Sequence, residues 1–204
     1  MLTVGRLVEK KGHDTLIRAA GMLRDQGVAF RLRIAGDGPE WPRLQRLVHE
    51  LDLAGHVTFL GPLNTVEVRA EYGSASVFAL ACRRLANGDR DGLPNVLLEA
   101  MVQGLPVVGT TQAGIGEAVE HERTGLLADP DNPAALADAL RRVLTDPELA
   151  RRLGASGQVA VRERFDYRLL LPAVPHALAR AGLIPKREPA PSPLGRAVPA
   201  LEPA

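Results

Sequence analysis

Six short apolar runs alternate with amphipathic stretches along the first 182 residues, and this alternation constrains the fold more than any other feature. The runs Leu2 to Val4, Phe30 to Ala35, Val57 to Leu60, Val77 to Leu80, Pro106 to Gly109 and Gly125 to Leu127 are bounded by Gly, Pro or Asp, which predicts strands. Runs that are apolar throughout suit strands covered on both faces. Helical spacing marks Asp14 to Asp25, Pro39 to Leu51, Thr65 to Ala75, Pro94 to Gln103 and Ile115 to Glu120, then Pro133 to Leu144, Pro147 to Arg164 and Tyr167 to Ala181. Leu16, Ile17, Ala20 and Leu23 show the period of three and four. Such an order predicts an α/β domain: an open parallel six-stranded sheet, right-handed crossovers, helices on both faces and a helical C-terminal extension. The boundaries read as a domain over 1–165, a helix over 166–182 and a disordered tail over 183–204, where six of the sixteen prolines collect from Pro185 onward.

Composition narrows the function. Lys and Arg number 25 against 24 Asp and Glu, for a net charge of +1, and aromatics make up 3%. That offers neither a strong field for a polyanion nor a stacking platform for bases, so nucleic acid is not an expected partner. Cys82 is the single cysteine, which rules out an internal disulfide framework, and no Cys or His spacing suggests structural zinc. No apolar run is long enough to span a bilayer and no leader pattern opens the chain. The expected setting is the cytoplasm, with at most peripheral contact with the inner face of a membrane.

Ligands of open parallel sheets bind beyond the carboxyl ends of the strands, so the residues just after each strand matter most. After the first come Gly5 and Arg6, then Lys10, Lys11 and Gly12. Arg offers a planar fork for two phosphate oxygens and Lys a movable point charge, so the turn can hold a diphosphate. An ordinary solvated basic turn explains it equally well. There is no glycine triplet and no Gly-Lys-Ser or Gly-Lys-Thr, which disfavours a simple dinucleotide dehydrogenase or an NTPase. The second strand runs into Gly36, Asp37 and Gly38, where glycine allows close backbone approach and Asp37 can cap the next helix. Phe59, Leu60, Gly61, Pro62 and Leu63 form an apolar rim suited to a flat ring, or simply a turn.

The richest segment follows the fourth strand and runs from Asn87 to Met101. Asp91 precedes a helix start and Glu99 lies eight positions later, which places two carboxylates at different depths of one crevice. From Leu93 to Val96, the N–H groups of Leu93, Asn95 and Val96, beside Gly92 and Pro94, open that helix and favour an anion. Carboxylates accept from hydroxyl donors, so a polyol such as a sugar or a ribose fits beside them. A capping Asp91 and a solvent-facing Glu99 are the plain alternatives. A second glycine-bearing turn, Thr110 to Glu117, either supports this loop or merely reverses the chain. His13, His49, His56, His121 and His176 are scattered and receive no catalytic or metal role. Cys82 reads as a small buried hydrophobe, and Trp41 and Tyr72 as packing residues.

Taken together, these segments resemble the carboxyl-terminal, donor-binding domain of the retaining nucleotide-sugar glycosyltransferases of glycosyltransferase family 4, also called group 1, which have the GT-B fold of two Rossmann-like domains. The resemblance covers residues 1 to about 165. DGLPNVLLEAMVQGLPVVGT matches the family's helix of acid, seven residues, acid, followed by its Gly-Pro-Val-Val strand. VGRLVEKKGHDTLI, IAGDGP, VTFLG, AGIGEAVEH and TGLLADPDN match flanking motifs in the same order.

The resemblance implies that Arg6 and Lys11 bind the donor diphosphate, that Glu99 takes the ribose hydroxyls and that Asp91 takes hydroxyls of the transferred sugar. It places the backbone from Gly92 to Val96 against phosphate or sugar oxygens and Gly5 beside them, and it sets the segment to Leu63, with Gly36 close by, around the base. No metal and no cofactor is implied beyond the donor itself, a nucleoside-diphosphate sugar such as a UDP- or GDP-sugar. Asp91 stands where many members carry Glu, one methylene longer. GDRDGLP resembles the polysaccharide-building branch, which implies a hexosyltransferase for polysaccharide, lipopolysaccharide or glycolipid and a sugar, lipid-linked or glycan acceptor. Because Met1 leads directly into the first strand, the acceptor domain is expected outside this chain, which is then either an incomplete coding unit or one part of a split enzyme with an N-terminal acceptor-domain chain as partner. The competing expectation is a non-catalytic nucleotide-sugar-binding module or a degenerate remnant.

Overall fold

The order of succession along the chain reverses at the centre of the sheet, and this positions everything else. A computed structural model describes residues 1–112 and 114–165. It contains strands β1 (Leu2–Val4), β2 (Leu32–Ala35), β3 (Val57–Gly61), β4 (Phe78–Leu80), β5 (Val107–Thr110) and β6 (Leu126–Ala128). The helices are α1 (His13–Asp25), α2 (Trp41–Glu50), α3 (Thr65–Ser74), α4 (Asn95–Val102), α5 (Ile115–Ala118), α6 (Pro133–Thr145) and α7 (Pro147–Phe165). All pairings are parallel in the order β3-β2-β1-β4-β5-β6, the expected open six-stranded sheet of Rossmann-like type. Leu2 of β1 stands opposite Arg33 on one side and Phe78 on the other.

Apolar runs become central strands because both faces are covered. Leu2, Leu32, Ile34, Phe78, Val107 and Val108 are fully buried, and each such side chain contributes about 1.5–3 kcal/mol. The helix α1 packs against α2 and α6, while α3 lies on β1, α4 on β4 and β5, and α5 on β5. With right-handed crossovers, the reversal at β1/β4 sends α3 to α5 to the face opposite α1. Met1–Arg164 form one compact unit. The expected helix over Tyr167 to Ala181 and the proline-rich tail lie outside the described residues.

Several boundaries differ from the sequence pattern for local reasons. The second strand begins at Leu32, because Phe30 leaves the ladder to pack on the ring of His56 at 5.0 Å. Asp37 does not cap α2: its carboxylate accepts from the Gly38 N–H at 2.7 Å, and the helix starts at Trp41. A 3₁₀ turn, Glu9–Lys11, precedes α1 and carries the basic residues. The helix α4 opens at Asn95, with Pro94 as its extended cap residue, so Asp91 does not cap it.

Candidate functional site

The crevice lies where the turn after β1 faces the loop after β4, and backbone contacts hold that meeting in place. Gly5 N–H donates to Ala35 O at 2.9 Å, and Gly36 N–H donates to Gly61 O at 2.7 Å. Gly36 sits at φ 136, where a side chain's Cβ would lie 2.0 Å from Gly5 O. Gly12 closes the 3₁₀ turn at φ 64, and a Cβ there would lie 1.9 Å from Ala81 O. Only glycine satisfies both the conformation and the approach. The basic turn therefore rests on the end of β4, where Arg83 N–H donates to Lys10 O at 2.9 Å.

That docking brings Lys11 across the sheet to Asp91. Lys11 Nζ lies 2.6 Å from Asp91 Oδ2, and both side chains are largely shielded. Lys10 Nζ lies 3.0 Å from Asp89 Oδ1 and 3.6 Å from Asp91 Oδ1. The hydrogen bond to Asp89 raises the Lys10 ammonium above its usual range. A cleft of about 470 Å³ opens here between Arg6, Lys10 and Lys11 on one side and Leu85, Asp89 and Asp91 on the other. Arg6 is exposed and has no ion pair among the described residues, so its guanidinium is available to an anion. Gly5 lies under the Lys11 stem, with its Cβ direction 3.6 Å from Lys11 Cε.

Two buried groups underlie the cleft. Cys82 is fully buried with Sγ 3.8 Å from Asp91 Oδ2, and burial pushes its thiol up to about 11, the signature of an inert packing residue. His13 is buried with neither ring nitrogen hydrogen-bonded. Burial, helped by the charges of Lys11 and Arg83, lowers its pKa to about 4, so the imidazole is neutral near pH 7.

The cleft brings Arg6, Lys11 and Asp91 together, whereas Glu99 belongs to a separate arrangement on α4. Glu99 is exposed and pairs with no Lys or Arg among the described residues. Tyr72 of α3 approaches it, with the hydroxyl 3.1 Å from Glu99 Oε2 and 3.1 Å from Val96 O. The sequence marks Tyr72 only as a packing residue, and it does pack, its ring edge-on to Phe78 at 5.7 Å. Its polar contact carries no local signal, because the partner comes from another element. Between Asp91 and Glu99, Gly92 and Asn95 are exposed, Leu93 and Val96 are half-buried and Pro94 is buried. Pro94 has no N–H, and Leu97 N–H turns inward to Pro94 O at 3.0 Å. Gly114 lies against the Leu93 backbone, where a Cβ would come within 2.8 Å of Leu93 N, so the second glycine turn does support this loop. Leu63 is half-buried just before α3, and Phe59 is covered by Trp41 at 5.1 Å. Among the described residues no cluster of His, Cys, Asp and Glu is arranged to hold a metal ion, and no helix is long and apolar enough to cross a membrane.

Residues 1–159 match the family model described as "Glycosyl transferases group 1". The chain is 38% identical over 169 residues to the GDP-mannose-dependent alpha-(1-6)-phosphatidylinositol monomannoside mannosyltransferase of Mycobacterium tuberculosis, covering 81% of this chain and 44% of the relative. It is 42% identical over 140 residues to the putative colanic acid biosynthesis glycosyltransferase WcaL of Escherichia coli, covering 69% of this chain and 34% of that protein. The chain thus spans less than half the length of these curated relatives. Among solved structures, HepE of Anabaena in complex with UDP and glucose superposes with a TM-score of 0.76 at 23% identity, over 88% of this chain and 48% of that one. Sucrose-phosphate synthase of Thermosynechococcus elongatus gives 0.75 at 30% identity, over 88% and 46%. The C-terminal domain of the glycosyltransferase LpcC of Francisella tularensis gives 0.71 at 20% identity, with 81% of this chain and 85% of that domain covered. By the extent of the family match and the identity to these relatives, the chain belongs to the group 1 glycosyltransferases.

Proposed function

We propose that the chain is the donor-binding half of a retaining hexosyltransferase that uses a nucleoside-diphosphate sugar. The observation that carries this reading is the cleft at the β1/β4 reversal, where Arg6 and Lys11 face Asp91 one loop away from Glu99. In this assignment Arg6 and Lys11 hold the diphosphate and Asp91 accepts from hydroxyls of the sugar. Glu99 accepts from the ribose hydroxyls, and the segment ending at Leu63, with Gly36 close by, borders the base. Gly5 and the backbone from Gly92 to Val96, passing through Leu93, Pro94 and Asn95, lie next to phosphate and sugar oxygens.

During transfer the bond from the anomeric carbon to the phosphate oxygen breaks while the acceptor oxygen bonds to that carbon on the same face. The acceptor's proton passes to the departing phosphate. Negative charge grows on the diphosphate, and preorganised cations stabilise it as it develops. A GDP-sugar is favoured by the mannosyltransferase relative and a UDP-sugar by the HepE complex. The acceptor is a glycan or a lipid-linked sugar, in line with the relatives' names, and an acceptor-binding domain working at the cytoplasmic face of a membrane completes the enzyme.

Isothermal titration with UDP, GDP and ADP tests this reading. One nucleotide is expected to bind, and Arg6→Ala and Glu99→Ala are each expected to weaken it by about 1–3 kcal/mol, as lost charged hydrogen bonds do. Absence of binding at millimolar nucleotide, or indifference to both substitutions, overturns it.

A further inference from the structure

The helix α3 is weakly anchored by apolar contact: of its residues Thr65–Ser74, Tyr72 alone is buried. Its start is set by a capping box in which the Asn64 side chain accepts from Val66 N–H and Glu67 N–H, while the Glu67 carboxylate accepts from Asn64 N–H at 2.7 Å. Its end is tied to β2, with Arg33 Nη1 2.8 Å from Glu71 and Arg33 Nη2 2.6 Å from Ser74 Oγ. Beside Glu71, Tyr72 reaches α4 through its hydroxyl, 3.1 Å from Val96 O and 3.1 Å from Glu99 Oε2.

We propose that Tyr72 is a positioning residue for the donor nucleotide: its hydroxyl holds the Glu99 carboxylate in the orientation that receives the ribose diol. This rests on the reading of Glu99 as the ribose acceptor. A phenol has one proton, and of its two neighbours the ionised carboxylate makes the stronger bond, which places the proton on the Glu99 side. Burial and the charge of Glu99 push the Tyr72 phenol upward, which keeps it a donor at every working pH.

A carboxylate offers about four acceptor positions across two oxygens, so one bond at Oε2 leaves Oε1 and its remaining capacity for two vicinal hydroxyls. A lysine or arginine in the same place would hold the carboxylate too, but it would compete with weakly donating hydroxyls for the charge. A neutral phenol orients Glu99 and leaves its charge intact. Free rotation of a long acidic side chain is otherwise lost when the ligand binds, and Tyr72 removes part of that loss beforehand.

The test compares UDP and GDP with their 2′,3′-dideoxy counterparts in titrations of the whole chain. Tyr72→Phe keeps the ring against Phe78 and removes only the hydroxyl. It is expected to weaken the ribonucleotide about threefold to tenfold, to leave the dideoxy nucleotide within twofold of wild type, and to add nothing to Glu99→Ala. A merely structural tyrosine would weaken both nucleotides alike and would add to Glu99→Ala, and either result overturns the proposal. If the wild type binds and Glu99→Ala weakens it while Tyr72→Phe changes nothing, the Tyr72 assignment alone falls. If the wild type binds neither nucleotide, the donor-binding reading falls and takes this one with it.

Discussion

Asp91 and Glu99 share one passage from loop to helix, yet the fold gives them opposite surroundings. Asp91 is partly shielded, ion-paired to Lys11 at 2.6 Å and approached by Lys10 and by the Cys82 thiol. Glu99 is exposed and held by a neutral phenol. One acid is therefore paired with Lys11, while the other has no cation beside it among the described residues. In the proposed reading, a diphosphate competes with Asp91 for Lys11, whereas a ribose meets an acceptor that Tyr72 already contacts. Two carboxylates eight positions apart acquire different chemistry from the elements that reach them, a turn after β1 in one case and α3 in the other.

The contrast can be broken most severely at Gly12. Gly12→Ala puts a Cβ into Ala81 O at a positive φ, and this should lower unfolding stability by about 3 kcal/mol or more, read from urea midpoints. Any molecules that still fold should lose the Lys11–Asp91 pair and keep the Tyr72–Glu99 contact. A similar stability loss should therefore not follow from altering the α3 side.

Acid should act on the same end. The folded pKa of His13, about 4, lies below the ordinary value near 6.5, so the unfolded chain takes up the proton first as pH falls. Its contribution is present above about pH 6.5 and is lost on descent toward pH 4, by up to about 3 kcal/mol. Urea midpoints for wild type and His13→Leu should lie closest near pH 7 and separate as pH falls toward 4.5, with the wild type losing more. Parallel pH profiles would show that the buried imidazole plays no part.

The smallest effect should sharpen the comparison most. Asp91→Asn releases Lys11, so the nucleoside diphosphate without its sugar should bind about twofold to fivefold tighter, the scale of one ion pair at the edge of an open cleft. Glu99→Ala should weaken the same ligand. Changes of the same sign in the two titrations would remove the distinction between the acids.

Most of the fold was legible because its causes are local. Val107 and Val108 lie in an apolar run bounded by Pro106 and Gly109, and a run buried on both faces can be read without knowing its neighbours. The boundaries that moved did so through contacts the local pattern does not contain, such as Phe30 on His56 or Asp37 turning back to Gly38. The 3₁₀ turn at Glu9–Lys11 is too short to show a period and was legible only as a basic cluster. At the candidate site, Arg6, Lys11, Asp91 and Glu99 were singled out by residue type, spacing and family resemblance. Their pairing was not, and neither was the hydroxyl of Tyr72.

What the sequence determined by itself is the alternation of strands and helices, and with it an open parallel sheet; the strand order that reverses at β1/β4 came from the structure. Apolar periodicity and glycine placement act over a few residues, and they need no knowledge of the rest of the chain. Only the tertiary structure decided that Lys11 pairs with Asp91, that His13 is buried without a hydrogen-bond partner among the described residues and that the Tyr72 hydroxyl meets Glu99. Charge pairing and desolvation depend on distance in space, and the crossovers of the sheet bring together side chains that sequence order keeps far apart.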